Sequence, residues 1–134
     1  MNIVAYLNIP YRHRGRDIRT GLDCYGLVKE IYRRERGIVL PDYVYDRDWA
    51  KQGLDLIREK YWAHFKPVET AKIYTVATFR DLVLKTDAHL GVMIGGMSFL
   101  HVPENGVSRV DHLGNRVWHR AFSGFYDYMA DGGV

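Results

Sequence analysis

The sequence predicts an α+β domain, and three observations carry the prediction. After Cys24, the apolar residues Leu27, Val28, Ile31 and Tyr32 recur as one face of a helix does. A second stretch, residues 48–63, returns Trp49, Leu54, Leu56, Ile57, Tyr61 and Trp62 near the same period. From about Arg80 the chain changes to short β-rich runs separated by glycine, proline and asparagine turns. Helices first and antiparallel strands afterwards put the sheet against the helix that begins at the cysteine.

Taken in order, Gly21-Leu22-Asp23 ends a loop, and Asp23 is the residue type that caps a helix N-terminus. The first helix is expected over residues 23–36 and closes at Gly37, which suits a left-handed C′ position. Residues 38–43 read as a connector, residues 48–63 as a second helix, and Pro67 stops what precedes it. Strands are expected at residues 80–85, 89–94, 98–102 and 106–110. Turns are expected at Gly95-Gly96, at Pro103-Glu104-Asn105-Gly106 and at His112-Leu113-Gly114-Asn115. Residues 116–128 supply one or two more strands.

The 134 residues are read as a single domain, 1–134, long enough to bury roughly two-thirds of the surface the unfolded chain exposes. Apolar residues at 47% and charged residues at 26% exclude a disordered chain. Ten tyrosines suit strands and a groove lined with amphipathic rings. A single cysteine excludes an internal disulfide framework and a cysteine-rich zinc site. The first ten residues are apolar with no basic stretch before them, and no long apolar run follows, so neither a signal peptide nor membrane insertion is expected. Net charge is a mild +3. Arg12, His13, Arg14, Arg16 and Arg19 beside Tyr11 form a basic stretch able to hold phosphates, but no base-reading motif accompanies it. A solvated loop is the expectation, with no nucleic-acid partner.

The chemistry centres on Cys24. At the first turn of a helix, unpaired N–H groups and the positive dipole end favour a thiolate, so its pKa is expected below the free-thiol value of about 8.5. His89 opens one strand and His101 lies near the end of the next, twelve positions later. Side chains alternate faces, so the loop decides their relation: a three-residue loop puts both on one face as diagonal neighbours, and a two-residue loop separates them. On one face, one imidazole takes the cysteine proton and the second orients it. A lone helical cysteine is by itself more often a small core residue, and a thiol with two histidines can also ligate zinc. The helix-start position favours a catalytic thiolate, with no metal or cofactor. His13, His64, His112 and His119 read as surface residues. Tyr11, Trp62 and Trp118 read as packing residues, of which Tyr11 and Trp118 could also line a groove.

At this point a family resemblance becomes visible. Pro10-Tyr11-Arg12, Gly21-Leu22-Asp23-Cys24-Tyr25-Gly26-Leu27-Val28, His89-Leu90-Gly91-Val92-Met93-Ile94-Gly95 and Phe99-Leu100-His101 together resemble the NlpC-type cell-wall cysteine peptidases. The resemblance runs from about Tyr6 to Tyr128 and is most similar to the short forms of bacteriophage tail modules. It implies a permuted papain-like fold with the cysteine helix before the sheet, Cys24 as nucleophile, His89 as general base and His101 as its orienting residue. It also implies that Tyr11 lies beside the thiol and helps hold the oxyanion. The implied substrate is a peptidoglycan stem peptide, commonly cut between D-glutamate and a diamino acid. The implied setting is the virion tail, with tail-tip or hub proteins as partners, acting on the wall during genome entry. The alternative is a structural tail-hub protein that keeps the fold with little activity. Two departures stand out: Tyr25 replaces a small serine, which is expected to narrow the site, and the Tyr11-to-Cys24 interval is about one residue longer than usual.

Overall fold

In the computed structural model, which describes residues 1–43, 64–81 and 87–129, helix α1 (Cys24–Arg36) forms where its signals put it. The Asp23 carboxylate accepts the Gly26 N–H at 2.8 Å, so the helix is capped from its own sequence. At the other end Gly37 takes a left-handed φ of 65° and its N–H reaches the Tyr32 carbonyl. The apolar stripe Leu27, Val28, Ile31 and Tyr32 is fully buried. Each such side chain contributes about 2 kcal/mol by leaving water, so packing rather than propensity holds the helix.

Before α1, a two-stranded ribbon pairs β1 (Arg16–Asp17) with β2 (Gly21–Leu22). After it, six strands form one antiparallel sheet: β3 (Phe65–Val68), β4 (Val76–Arg80), β5 (Asp87–Gly95), β6 (Ser98–His101), β7 (Arg109–His112) and β8 (Phe122–Tyr128). Their spatial order is β3-β8-β4-β5-β6-β7. Alternation along the strands divides the core. Leu90, Val92, Leu100 and Val102 pack with α1 on one face. Met93, Phe99, Ala77 and Phe79 face the other way, against Leu113, Trp118 and Ala121.

Several elements differ from the sequence reading. Residues 116–121 form a short helix, α2 (Arg116–Ala121), rather than a strand, because the Asn115 side chain accepts the Val117 N–H and caps it. The strand expected at 106–110 is displaced to Arg109–His112. Gly106 instead turns back on Pro103, Val107 bridges Pro10, and Ser108 bonds Ile9 and Tyr6. A strand at Val76–Arg80 is not expected from the sequence; most of the strand expected at 80–85 and the whole helix expected at 48–63 lie outside the described residues, so neither expectation is tested. Pro67 sits inside β3, which is tolerated because β3 is an edge strand. Among the described residues, no helix is long and apolar enough to cross a membrane.

Candidate active site

The loop before α1 is built to hold Cys24 still. Tyr11 lies alongside Leu22 as a parallel bridge, the Arg12 N–H donates to the Leu22 carbonyl at 3.1 Å, and the Leu22 N–H donates to the Pro10 carbonyl at 3.0 Å. The Tyr11 N–H also donates to the Gly106 carbonyl at 2.9 Å, which ties this loop to the β6–β7 connection. Asp23 does more than cap. Its buried carboxylate also accepts the Arg14 N–H at 3.0 Å and the Arg16 guanidinium at 2.9 Å, and Arg16 reaches Asp42 as well. Two members of the basic stretch are therefore paired with acids of their own loop: Arg16 in this way, and Arg19 with Asp17 at 2.9 Å.

Cys24, half-buried, opens α1 and packs against the main core, as Tyr11 also does. The backbone N–H groups of Leu90 and Tyr25 lie toward its sulfur and favour its charged form. Leu90 follows His89 directly, so α1 delivers the thiol to the peptide next to the imidazole. Tyr25 is taken up by packing rather than narrowing the site: it is buried, with its ring against Tyr43 and the Arg16 guanidinium over it.

The two histidines share a face for a reason the loop length alone does not reveal. The β5–β6 connection is a two-residue turn, Gly96-Met97, which by itself would set them on opposite faces. An irregularity between Met93 and Gly95 adds one residue to β5, so Val92 pairs with Leu100 and Gly91 falls opposite His101. His89 is then the diagonal neighbour of His101 on the same face, and its Nε2 lies 2.7 Å from His101 Nδ1. Gly91 leaves the room for this, since a Cβ there would lie 2.8 Å from the Phe99 ring.

The chain of contacts continues to residues that were not catalytic candidates in the sequence. His101 Nε2 lies 2.7 Å from Asp111 Oδ2, and Arg109 Nε donates to the same oxygen at 2.8 Å. Trp118 stacks on His89 with centroids 5.8 Å apart and meets His101 edge-on at 4.7 Å. The available signal was the alternation Arg109-Val110-Asp111 on a strand beside Phe99-Leu100-His101. It was obscured because residues 106–110, not 109–112, read as the strand.

Burial pushes the Cys24 thiol up to about 12, with the Asp23 carboxylate adding to the rise; the Leu90 and Tyr25 N–H groups and Arg16 oppose it. Burial likewise pushes His89 down to about 3, helped by His101 and Arg109. His101 is also lowered by burial, against the pull of Asp111. Burial would raise Asp111, but hydrogen bonds from Arg109 and His101 hold it below the usual carboxylate range. The resting pair is therefore thiol and neutral imidazole, which reverses the expectation of a depressed thiol pKa: desolvation and the Asp23 charge outweigh the N–H groups and Arg16. Among the described residues, no hydrogen bond joins the thiol to either imidazole. Because a raised thiol pKa makes thiolate appear only as pH rises, alkylation by iodoacetamide should be slow at pH 6 and still climbing above pH 9. A rate that levels off near neutrality would contradict this.

A cleft of about 270 Å³ opens at His89, lined among others by Phe79, Arg80, Pro103, Glu104 and Trp118. Among the described residues, no cluster of His, Cys, Asp and Glu is arranged to hold a metal ion.

A cysteine-led helix set before an antiparallel sheet, with histidines on its central strands, defines a permuted papain-like α+β domain. Residues 8–126 match the NlpC/P60 family, and the chain belongs to it. Three solved structures share the fold. One is an NLP/P60-family protein of Staphylococcus aureus described as similar to a lipoprotein, with TM-score 0.68 and 21% identity over 93% of this chain and 38% of that one. Another is the NlpC/p60 domain of the peptidoglycan hydrolase SagA, with TM-score 0.62 and 20% identity over 94% of this chain and 92% of that domain. The third is a family protein of Bacillus cereus, with TM-score 0.64 and 22% identity over 92% of this chain and 36% of that one. The chain thus spans little more than a third of the Staphylococcus and Bacillus proteins. No curated protein sequence matches it.

Proposed function

We propose that this chain is a cell-wall hydrolase, specifically a cysteine peptidase that cleaves amide bonds in peptidoglycan stem peptides. The observation that carries the reading is the delivery of the Cys24 sulfur to the Leu90 N–H, one residue from a histidine whose far nitrogen is held by a second histidine. Family membership supports the substrate class.

As a carbonyl carbon is seated, the Cys24 sulfur attacks it and the thiol proton passes to His89 Nδ1, the nitrogen not engaged by His101. Starting from a neutral pair, this transfer accompanies attack instead of preceding it. The Tyr11 hydroxyl, carried by the loop beside Leu22, serves the developing oxyanion. His89 then gives its proton to the leaving amine, the C–N bond breaks, and a thioester remains. Water attacks the thioester while His89 removes its proton; that proton returns to the departing sulfur, restoring the thiol and releasing a carboxylic acid. The resemblance of the cysteine and histidine motifs to short tail-associated forms supports a setting in a bacteriophage tail tip, with hub proteins as partners.

The test is digestion of purified peptidoglycan, with the fragments identified by mass spectrometry. New amino and carboxyl ends within stem peptides are expected. Intact stem peptides, or cuts confined to the glycan, would contradict the proposal.

A further inference from the structure

The geometry points to Asp111 as a positioning residue that acts through His101 to decide which nitrogen of His89 stands free to accept a proton; this rests on His89 being the base. Phe99 pairs with Asp111 and His101 with Arg109, so His89, His101, Arg109 and Asp111 lie on one face across β5, β6 and β7. The order of their hydrogen bonds assigns the protons. Arg109 donates to Asp111 Oδ2 at 2.8 Å and keeps that carboxylate an acceptor, so His101 Nε2, 2.7 Å away, carries a hydrogen. A neutral, fully buried His101 is then bare at Nδ1 and must receive a hydrogen bond there. The group at that position is His89 Nε2, at 2.7 Å, which therefore carries the hydrogen of its ring. His89 Nδ1 is left with its lone pair.

Reversing the assignment at His101 alone would set two N–H groups against each other at that distance. Reversing it at His89 alone would oppose two lone pairs. When His89 becomes a cation, its Nε2–H stays on His101, and the Asp111 charge behind His101 favours it. Trp118 and Phe99, packed on the rings, keep water from competing for these bonds.

The experiment records ring-nitrogen NMR signals of the ¹⁵N-histidine protein, together with the iodoacetamide rate at pH 8, for wild type, Asp111→Leu and Asp111→Asn. In wild type, Nε2 of both residues should read as protonated and Nδ1 as bare. Asp111→Leu should move the two His101 signals toward each other and slow alkylation about tenfold, part of the 10²–10⁴ that a general base contributes. Asp111→Asn keeps an oxygen for both donors, so its nitrogen pattern should persist while the lost charge slows alkylation about threefold. Backbone amide spectra establish that each variant is folded, and if the leucine variant is not, the asparagine rate decides. Wild-type nitrogen signals in Asp111→Leu, or a wild-type alkylation rate in either folded variant, overturn the inference. A wild-type rate in His89→Ala would instead remove His89 as base, while the nitrogen signals still report on the relay.

Discussion

Cys24→Ser should lower stem-peptide cleavage by about 10⁴-fold, as losing a nucleophile does, while leaving the unfolding transition within about 0.5 kcal/mol of wild type. The two effects separate because the residue's structural contribution is small. Serine nearly matches cysteine in volume, and its hydroxyl can accept from the Leu90 and Tyr25 N–H groups that lie toward the sulfur. What changes is nucleophilicity, since a hydroxyl with a far higher pKa faces the same half-buried, neutral imidazole. Kinetics on wall fragments and a urea titration read both quantities. If the domain were only a structural part of a tail, the substitution would be silent in both, and only surface changes would disturb assembly. Retained cleavage would move the chemistry away from Cys24.

Gly26→Ala should cost about 3 kcal/mol of stability, although alanine is intrinsically better than glycine in a helix by roughly 1 kcal/mol. Packing decides the sign. A Cβ at Gly26 would lie 2.1 Å from the Gly15 carbonyl oxygen, a backbone atom that cannot swing aside like a side-chain end. Gly15 has no room to retreat, because its own Cβ position is 2.2 Å from the Gly21 carbonyl. Relief would require lifting the loop off α1, which strains the Arg14 and Arg16 bonds to Asp23 and with them the cap of the cysteine helix. Gly37→Ala makes a useful comparison. Its φ is 65°, but nothing lies within 4 Å of the added carbon, so backbone strain of about 1 kcal/mol is the whole effect. Urea unfolding of both variants should rank Gly26→Ala as the more damaging; equal costs would mean that the loop yields easily.

The cysteine helix was legible because every signal for it is local: an Asp cap, an apolar stripe and a Gly stop within fifteen residues. The pairing of His89 with His101 was legible only as an alternative. Turn length alone gives the wrong face, and the only local mark of the extra residue between Met93 and Gly95 that corrects it is Gly95 itself, at a φ of 133°. Residues 116–121 carry the β-branched and aromatic Val117 and Trp118 and read as strand, yet Asn115 caps them into a helix that sets Trp118 on the histidines. Asp111 was invisible as part of the site because its relation to His101 depends on the β6–β7 register, a long-range property. The thiol's raised pKa was missed for a similar reason: a helix-start position can be read from the sequence, but the desolvation that raises the pKa exists only once the chain has folded.

The central claim is that Cys24 carries the acyl group of a wall peptide, and intact-mass spectrometry of the protein quenched in acid during turnover of stem-peptide fragments tests it most directly. The account predicts an adduct equal to the acyl portion of the cleaved peptide, mapped to Cys24, released by hydroxylamine and absent from Cys24→Ala. Cleavage that proceeds with no adduct on wild type, and at an undiminished rate in Cys24→Ala, would contradict it.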